Sequence, residues 1–447
     1  MAPLRLVFLF AILPSAVLGC ATRPVSEAVL VVYEQHVDAQ PLSRLALASL
    51  HGIERVGPAG AFQVTGTATG ARIAYRDPDG VTRKLDLAWD ASTPSAAVLR
   101  ELERAVAFVE DQARLRSLEI NSAMISGLMT LDTDGEYLDS KTNKELTEAV
   151  PRRAGIGLEM TKRQQTPTVV SPIEGSTAER AGLRARDRIL RIDGHPTDGL
   201  SLSEVVRLLR GSQGSTVRLA VAREGWSEPR EIEIKREIHS VKAIRAVDLG
   251  SGVAYVRLRR FGEATPRELR TAIARLADGG MTRLVLDLRN NGGGHLTAAV
   301  EVAELFLEEG RLVVYTKSRI RNQNLRFSAH PQKSYRALPM VVLMNHGSAA
   351  ASEIVAAALQ DWGRATLIGE RSFGRASIQT LVSLKDGSAL LLTTARWFTP
   401  KGRQVADGVG LLPDVDVVAD ADIDVTSADP TKDNQLRRAL EVLATLR

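Results

Sequence analysis

Between His346 and Gln379 the chain reads HGSAAASEIVAAALQDWGRATLIGERSFGRASIQ, where few reactive side chains stand close together. Ser348 and Ser352 carry hydroxyls that could serve as nucleophiles, and His346 precedes Ser348 by two positions. If His346–Ser348 is extended, both side chains point to one side, as an imidazole must to take a hydroxyl's proton. The same residues fit a plainer arrangement, in which His346 ends a strand and the two serines satisfy a helix N-terminus. A second feature lies upstream. Asn291-Gly292-Gly293-Gly294 follows an apolar run and allows close backbone approach. His295, just after it, is a further candidate base or simply a loop histidine. Seven scattered histidines, one cysteine and no HExxH pattern argue against a metal centre. No phosphate-binding glycine loop is present, so no cofactor is expected.

The elements that must position these groups follow from periodicity. The spacing predicts helix from Ala28 to Val56, short strands over 61–89 with an Asp-Pro-Asp-Gly turn, and helix again from Pro94 to Leu131. These make a mainly helical N-terminal domain with a small β insertion, over 20–150. Residues 154–237 read as short strands around one amphipathic helix, LSLSEVVRLLRG. From Gly252 onward strands and helices alternate, which predicts an α/β layered core over 240–418. Within it, TPRELRTAIARLAD is a helix opening with Thr265 as cap and Pro266 at its first position. Residues 419–447 form a tail whose helix, DNQLRRALEVLATL, is expected to pack back on the core.

A length of 447 residues allows about three such domains. A net charge of +5 with 4% aromatic residues, and no basic block interleaved with aromatics, gives no basis for nucleic-acid binding. Met1–Gly19 has one early basic residue, Arg5, and an apolar run from Leu6 to Leu18. That run is short for a membrane span and has the form of a secretory signal. Its ending, VLGC, resembles the lipobox of bacterial lipoproteins, which implies cleavage before Cys20 and lipidation there; a plain signal peptide beside an incidental cysteine is the alternative. Acyl chains on Cys20 would hold the chain at a membrane. The expected place is the bacterial periplasm, and if the cell is Gram-negative, alanine rather than aspartate at 21 favours the outer membrane over the inner.

Two resemblances add to this reading. Gly155-Ile156-Gly157-Leu158, AERAGL, RDRILRIDG and VVRLLRG occur in the order found in PDZ domains. The resemblance implies a loop at Gly155–Leu158 whose backbone N–H groups receive the C-terminal carboxylate of a protein tail; a PDZ fold kept only as a spacer is the alternative. Ala185-Arg186 departs from the Pro-Gly usual in that fold. Further on, LVLDLRNNGGG, ASEIVAAALQD, IGERSFGRASIQ and TTARWFTPKGRQVADGVGLLPDV resemble the C-terminal processing, or tail-specific, serine peptidases. Upstream, MISGLMTLDTDGEYLDSKTNKEL stands where that family has Leu-Asp-Pro-His-Ser. The fold implied is an α/β peptidase core, crotonase/ClpP-like in its layering, with an inserted PDZ domain.

Carried over residue by residue, the resemblance makes Ala350 the nucleophile position, Arg375 the lysine-base position and Gln379 the base-orienting position. It gives Gly293 and Gly294 to the oxyanion hole. Alanine cannot form an acyl-enzyme, and arginine stays protonated where a lysine base must become neutral. Both halves of the dyad are absent, which implies a pseudo-peptidase that binds protein tails. A working endopeptidase using Ser348 or Ser352 is the alternative. The sequence leaves open an oligomer or a partner peptidase.

Overall fold

The computed structural model describes residues 23–147, 154–164, 166–239, 242–330, 335–405, 409–420, 423 and 425–446, with the backbone of Val7–Phe8. The leader's cleavage region and Cys20 lie outside the described residues. Among those described, no helix is long and apolar enough to cross a membrane.

Four helices, Pro24–Gln35, Leu42–His51, Ser95–Ala113 and Ser117–Leu128, surround one apolar core in the N-terminal region. Ser95–Ala113 buries Val98, Leu99, Leu102, Ala105, Val106 and Val109, a stripe at helical spacing. The helix stops where Arg114 turns left-handed (φ 53°), which splits the single helix expected from Pro94 to Leu131. Strands Phe62–Thr67, Gly70–Arg76 and Thr82–Ala88 form the β insertion as an antiparallel sheet.

The middle of the chain is a six-stranded antiparallel sheet running Arg230–Lys235, Thr216–Ala222, Arg188–Ile192, Thr166–Pro172, Leu158–Arg163, with the short strand His195–Pro196 paired to Arg188–Ile192. Helix Leu202–Leu209 packs on it through Leu202, Val205 and Leu209. A capping box starts that helix: Glu204 N–H donates to Ser201 Oγ (3.1 Å), and Ser201 N–H donates to the Glu204 carboxylate (2.7 Å). Arg186, where PDZ domains usually have glycine, takes φ 72°, so the turn keeps the glycine's conformation without the glycine. Its N–H still bonds Val169 O at 2.8 Å.

The core sheet runs Ile244–Asp248, Val253–Leu258, Arg283–Asp287, Met340–Met344, Thr366–Gly369, Val415–Asp416, parallel except for its first pair. Helices cover both faces, which is why Met340–Met344 reads as an unbroken apolar run. Leu284, Leu286, Met340 and Val342 face helices Leu296–Glu304 and Ala351–Asp361. The alternate residues Val285, Val341 and Leu343 face the C-terminal helix Asn434–Thr445. Helix Thr265–Asp278 corrects one expectation: Ala264 is its N-cap, and Thr265 is already helical with its Oγ1 accepting from Gly262 N–H (3.0 Å).

A second sheet, antiparallel except where Val7–Phe8 runs parallel to Ser377–Ser383, differs from the layered core expected. It pairs Ser377–Ser383 with Ala389–Phe398, then Leu312–Ser318 and Arg326–Ser328, and Glu136–Leu138 joins Ala389–Phe398. Val382, Leu384, Leu390 and Leu392 of this sheet complete the N-terminal helical core, fastening that region to the rest.

A fully buried ionic cluster anchors the C-terminal helix. Arg289 donates to Asp287 (2.6 Å) and to Asp433 (2.7 Å), while Asp287 also accepts from Arg257 (3.0 Å) and Tyr255 (2.6 Å). Burial pushes the Asp287 carboxyl up, but the Arg289 and Arg257 charges and their hydrogen bonds outweigh it and hold it at about 2.

Candidate functional site

Met340–Met344 leads through Asn345–Ala349 into helix Ala351–Asp361, and Ala350 is the helix's N-cap. Its backbone is φ 49°, ψ −107°, a strained conformation for a residue with a Cβ. Ala350 N–H donates to Glu353 Oε2 at 2.8 Å. The same oxygen accepts Arg375 N–H at 3.0 Å, and Glu353 Oε1 accepts Gly374 N–H (2.8 Å) and the Ser372 hydroxyl (2.5 Å). One buried carboxylate therefore draws residues 350 and 372–375 together. Burial pushes its proton affinity up, against the opposing pull of those four hydrogen bonds. Glu353 is a site residue that the sequence reading misses. Its position three residues past the N-cap, the spacing of a capping box, was the available signal.

The candidate serines turn out otherwise engaged. Ser348 Oγ donates to Leu288 O (2.9 Å) and accepts from Asn345 N–H (3.0 Å); Ser352 Oγ donates to Asn291 O (2.8 Å). Both are buried; Ser352 ties the glycine turn to the helix start, and Ser348 ties the segment before the helix to Leu288, just past strand Arg283–Asp287. This corrects two expectations: each hydroxyl proton goes to a backbone carbonyl rather than to His346, and neither serine caps the helix. His346 keeps a buried, unpartnered Nδ1, and burial followed by the nearby Arg186 charge lowers its pKa.

The turn itself is tightly held. Asn291 Nδ2 donates to Leu258 O (2.7 Å), and Ala349 N–H donates to Asn291 O (3.0 Å). Gly294 has φ 142°, and a Cβ there would lie 2.1 Å from Phe261 O, so only glycine fits. Gly293 N–H donates to Asn291 Oδ1 (3.0 Å), so this expected oxyanion donor is already used within the turn. His295 is the N-cap of helix Leu296–Glu304, with its N–H on Phe261 O (2.8 Å). Gln379 is buried; its Nε2 donates to Asp134 O, and its Oε1 has no hydrogen-bond partner. The orienting bond from Gln379 to residue 375 is therefore not made. Through this bond the segment around Asp134 reaches the site.

The PDZ-like sheet lies over the same place. Ser171 Oγ donates to Asn290 O (2.8 Å), and Arg163 donates to Phe373 O (2.6 Å) with its guanidinium 4.0 Å above the Phe373 ring. Val170 forms a small apolar cluster with Ala349 and Phe373. Glu159 reaches the glycine turn so closely that a Cβ on Gly292 would lie 1.7 Å from its Oε2. Burial, only partly opposed by the Arg260 and Arg375 charges, pushes the Glu159 carboxyl up to about 7. The Gly155–Leu158 loop keeps a left-handed Gly157 (φ 78°), with Ile156 O accepting from Ala178 N–H (2.9 Å). The Ile156 side chain is buried in the small domain's core, so what the loop could offer a ligand is backbone. No cluster of metal-ligating side chains occurs among the described residues.

A family model described as peptidase family S41 matches residues 252–417, and a PDZ-domain model matches 168–223. The chain is similar to the carboxy-terminal-processing protease of Bartonella bacilliformis, 39% identical over 301 residues, covering 66% of this chain and 69% of that one. It is 36% identical over 302 residues to a probable CtpA-like serine protease of Staphylococcus aureus, covering 67% of this chain and 60% of that protein. Among solved structures, the photosystem II D1 C-terminal processing protease matches with a TM-score of 0.64 at 27% identity, over 84% of this chain and 93% of the other. The shared architecture is a helical N-terminal region, a PDZ domain and an α/β peptidase core.

Proposed function

We propose, for a chain that belongs to peptidase family S41 and is a homologue of the C-terminal processing serine proteases, that it binds protein C-terminal tails without cutting them. The observation that carries this reading is the side-chain pair at the converged positions. Ala350 offers a methyl group where an acyl-enzyme would need a hydroxyl, and Arg375 offers a permanent cation where a neutral amine would be needed. Their backbones meet on Glu353, so the site's frame persists around changed chemistry. The rival reading, hydrolysis through Ser348 or Ser352, finds each hydroxyl buried and donating to a carbonyl.

Tail capture is assigned to the PDZ domain, with the carboxylate on the backbone of Gly155–Leu158 and the tail adding to strand Leu158–Arg163. On the same reading the leader is removed, and Cys20 anchors the chain by lipid at the periplasmic side of the outer membrane. That part rests on the sequence alone, on VLGC for the anchor and on Ala21 for the membrane. The test is to incubate the purified chain with an unstructured tail peptide and follow peptide mass alongside binding. Binding with an intact peptide supports the reading, and cleavage overturns it.

A further inference from the structure

Residues 132–138 are held on the PDZ domain as well as on the second sheet. Thr161 Oγ1, on strand Leu158–Arg163, donates to Asp134 Oδ1 at 3.3 Å. Two positions on, Glu136 Oε1 accepts Ser203 N–H at 2.6 Å, in the first turn of helix Leu202–Leu209. Two residues of extended chain span about 7 Å at most, so strand and helix are bridged within one short stretch. Thr161 and Glu136 are both buried at this bridge. We propose that residues 134–136 close the upstream end of the tail groove, so that the PDZ domain holds only the last few residues of a protein tail. The proposal rests on the reading that this groove receives tails.

A tail adds to a sheet as one more strand, and its place is the outer edge of Leu158–Arg163. That strand is the outermost of its sheet, and its other edge pairs with no strand among the described residues. With its carboxylate on the 155–158 loop, the tail runs back along the strand beside helix Leu202–Leu209. It passes Leu158, Glu159 and Met160 before Thr161, where the bridge begins. In an open groove the added strand would continue, gaining main-chain hydrogen bonds as it lengthens.

The bridge is anchored on both sides. Before it, the Asp132 carboxylate accepts Thr393 N–H (2.7 Å) and the Thr393 hydroxyl (2.8 Å). After it, Glu136–Leu138 pairs with Ala389–Phe398. In its middle, Asp134 O accepts from Gln379 Nε2. Glu136 also sets its charge at a helix N-terminus, where the N–H groups favour an anion. Docking of the PDZ domain on the rest of the chain therefore builds the wall.

A length series tests this. Alanine-rich peptides of three, six and ten residues, ending in the same Ala-Ala-Val with a free carboxylate, are titrated calorimetrically into the full chain. Their affinities are expected to lie within about threefold of one another. Amide exchange at Ser203 should stay slow with each peptide bound, because its N–H keeps the Glu136 carboxylate. The Asp134→Ala, Glu136→Ala double variant frees the segment from strand and helix. It should bind the three-residue peptide as the unmodified chain does, and the ten-residue peptide at least tenfold more tightly than that chain does. A double variant that folds and still binds all three lengths alike overturns the proposal. So does faster exchange at Ser203 when the longer peptides bind to the unmodified chain. If the double variant does not fold, the length series and the Ser203 exchange decide by themselves. A tenfold gain from three to ten residues in the unmodified chain overturns this inference alone. Failure to bind any of the peptides overturns the tail-capture reading and this inference with it.

Discussion

The backbone N–H groups of Ala350 and Arg375, far apart in sequence, converge on one oxygen of Glu353, at 2.8 and 3.0 Å. Because the two positions are held through main chain, their side chains could change without the frame collapsing. The frame that joins the two positions does not depend on the side chain at either of them.

Glu353→Ala should therefore damage the fold as well as the site. It leaves three buried N–H groups and the Ser372 hydroxyl without their acceptor, and each buried unsatisfied group costs about 1–3 kcal/mol. Urea unfolding should show a loss of at least about 3 kcal/mol at unchanged m-value.

Ala350→Gly should act in the opposite direction. The observed φ 49°, ψ −107° lies near the first central position of a type II′ turn, which glycine occupies without strain. Relief of about 1–3 kcal/mol of strain exceeds the added unfolded-chain entropy of about 0.5–1 kcal/mol. A rise in melting temperature of a few degrees checks this.

Asp433→Ala should loosen the C-terminal helix. It removes the cap on Leu436 N–H (2.9 Å) and one of the two carboxylates around Arg289. Breaking a buried pair from one side costs about 3–5 kcal/mol, so urea stability should fall by about that amount. Hydrogen exchange should rise first in Asn434–Thr445.

Glu159 gives a pH signature. Its folded pKa of about 7 lies above the ordinary 4.5, so the folded chain holds the extra proton between those values. The stability it contributes is complete below about 4.5, declines as pH rises towards 7, and changes no further above that. Each pH unit crossed removes at most about 1.4 kcal/mol. Glu159→Gln should flatten this decline. Asp287 works at the acid end: its folded pKa of about 2 stabilises the chain above about 4, and that support is lost as pH falls through 2.

Much of this arrangement was legible in the chain. The Gly-rich turn, the apolar strand Met340–Met344 and the alanine-rich helix announce themselves by composition and periodicity, whereas residues 350, 375 and 379 were marked only by the resemblance to the tail-specific peptidases. The second sheet was not legible, because Ala389–Phe398 is buried almost throughout and has lost the alternation that marks a half-buried strand. Nor could Glu159 be found. On strand Leu158–Arg163 it looks like a polar outward residue, and only domain docking brings it to Gly292. The roles of Ser348 and Ser352 depended on the carbonyls of Leu288 and Asn291, contacts that no local pattern encodes.

The most direct measurement is mass spectrometry of an unstructured tail peptide incubated with the unmodified chain and with the Ala350→Ser, Arg375→Lys double variant. Gln379 Oε1 is buried and has no hydrogen-bond partner, so its acceptor capacity is unused. The account expects the unmodified chain to leave the peptide intact and the double variant to cut it. Cleavage by the unmodified chain would contradict it.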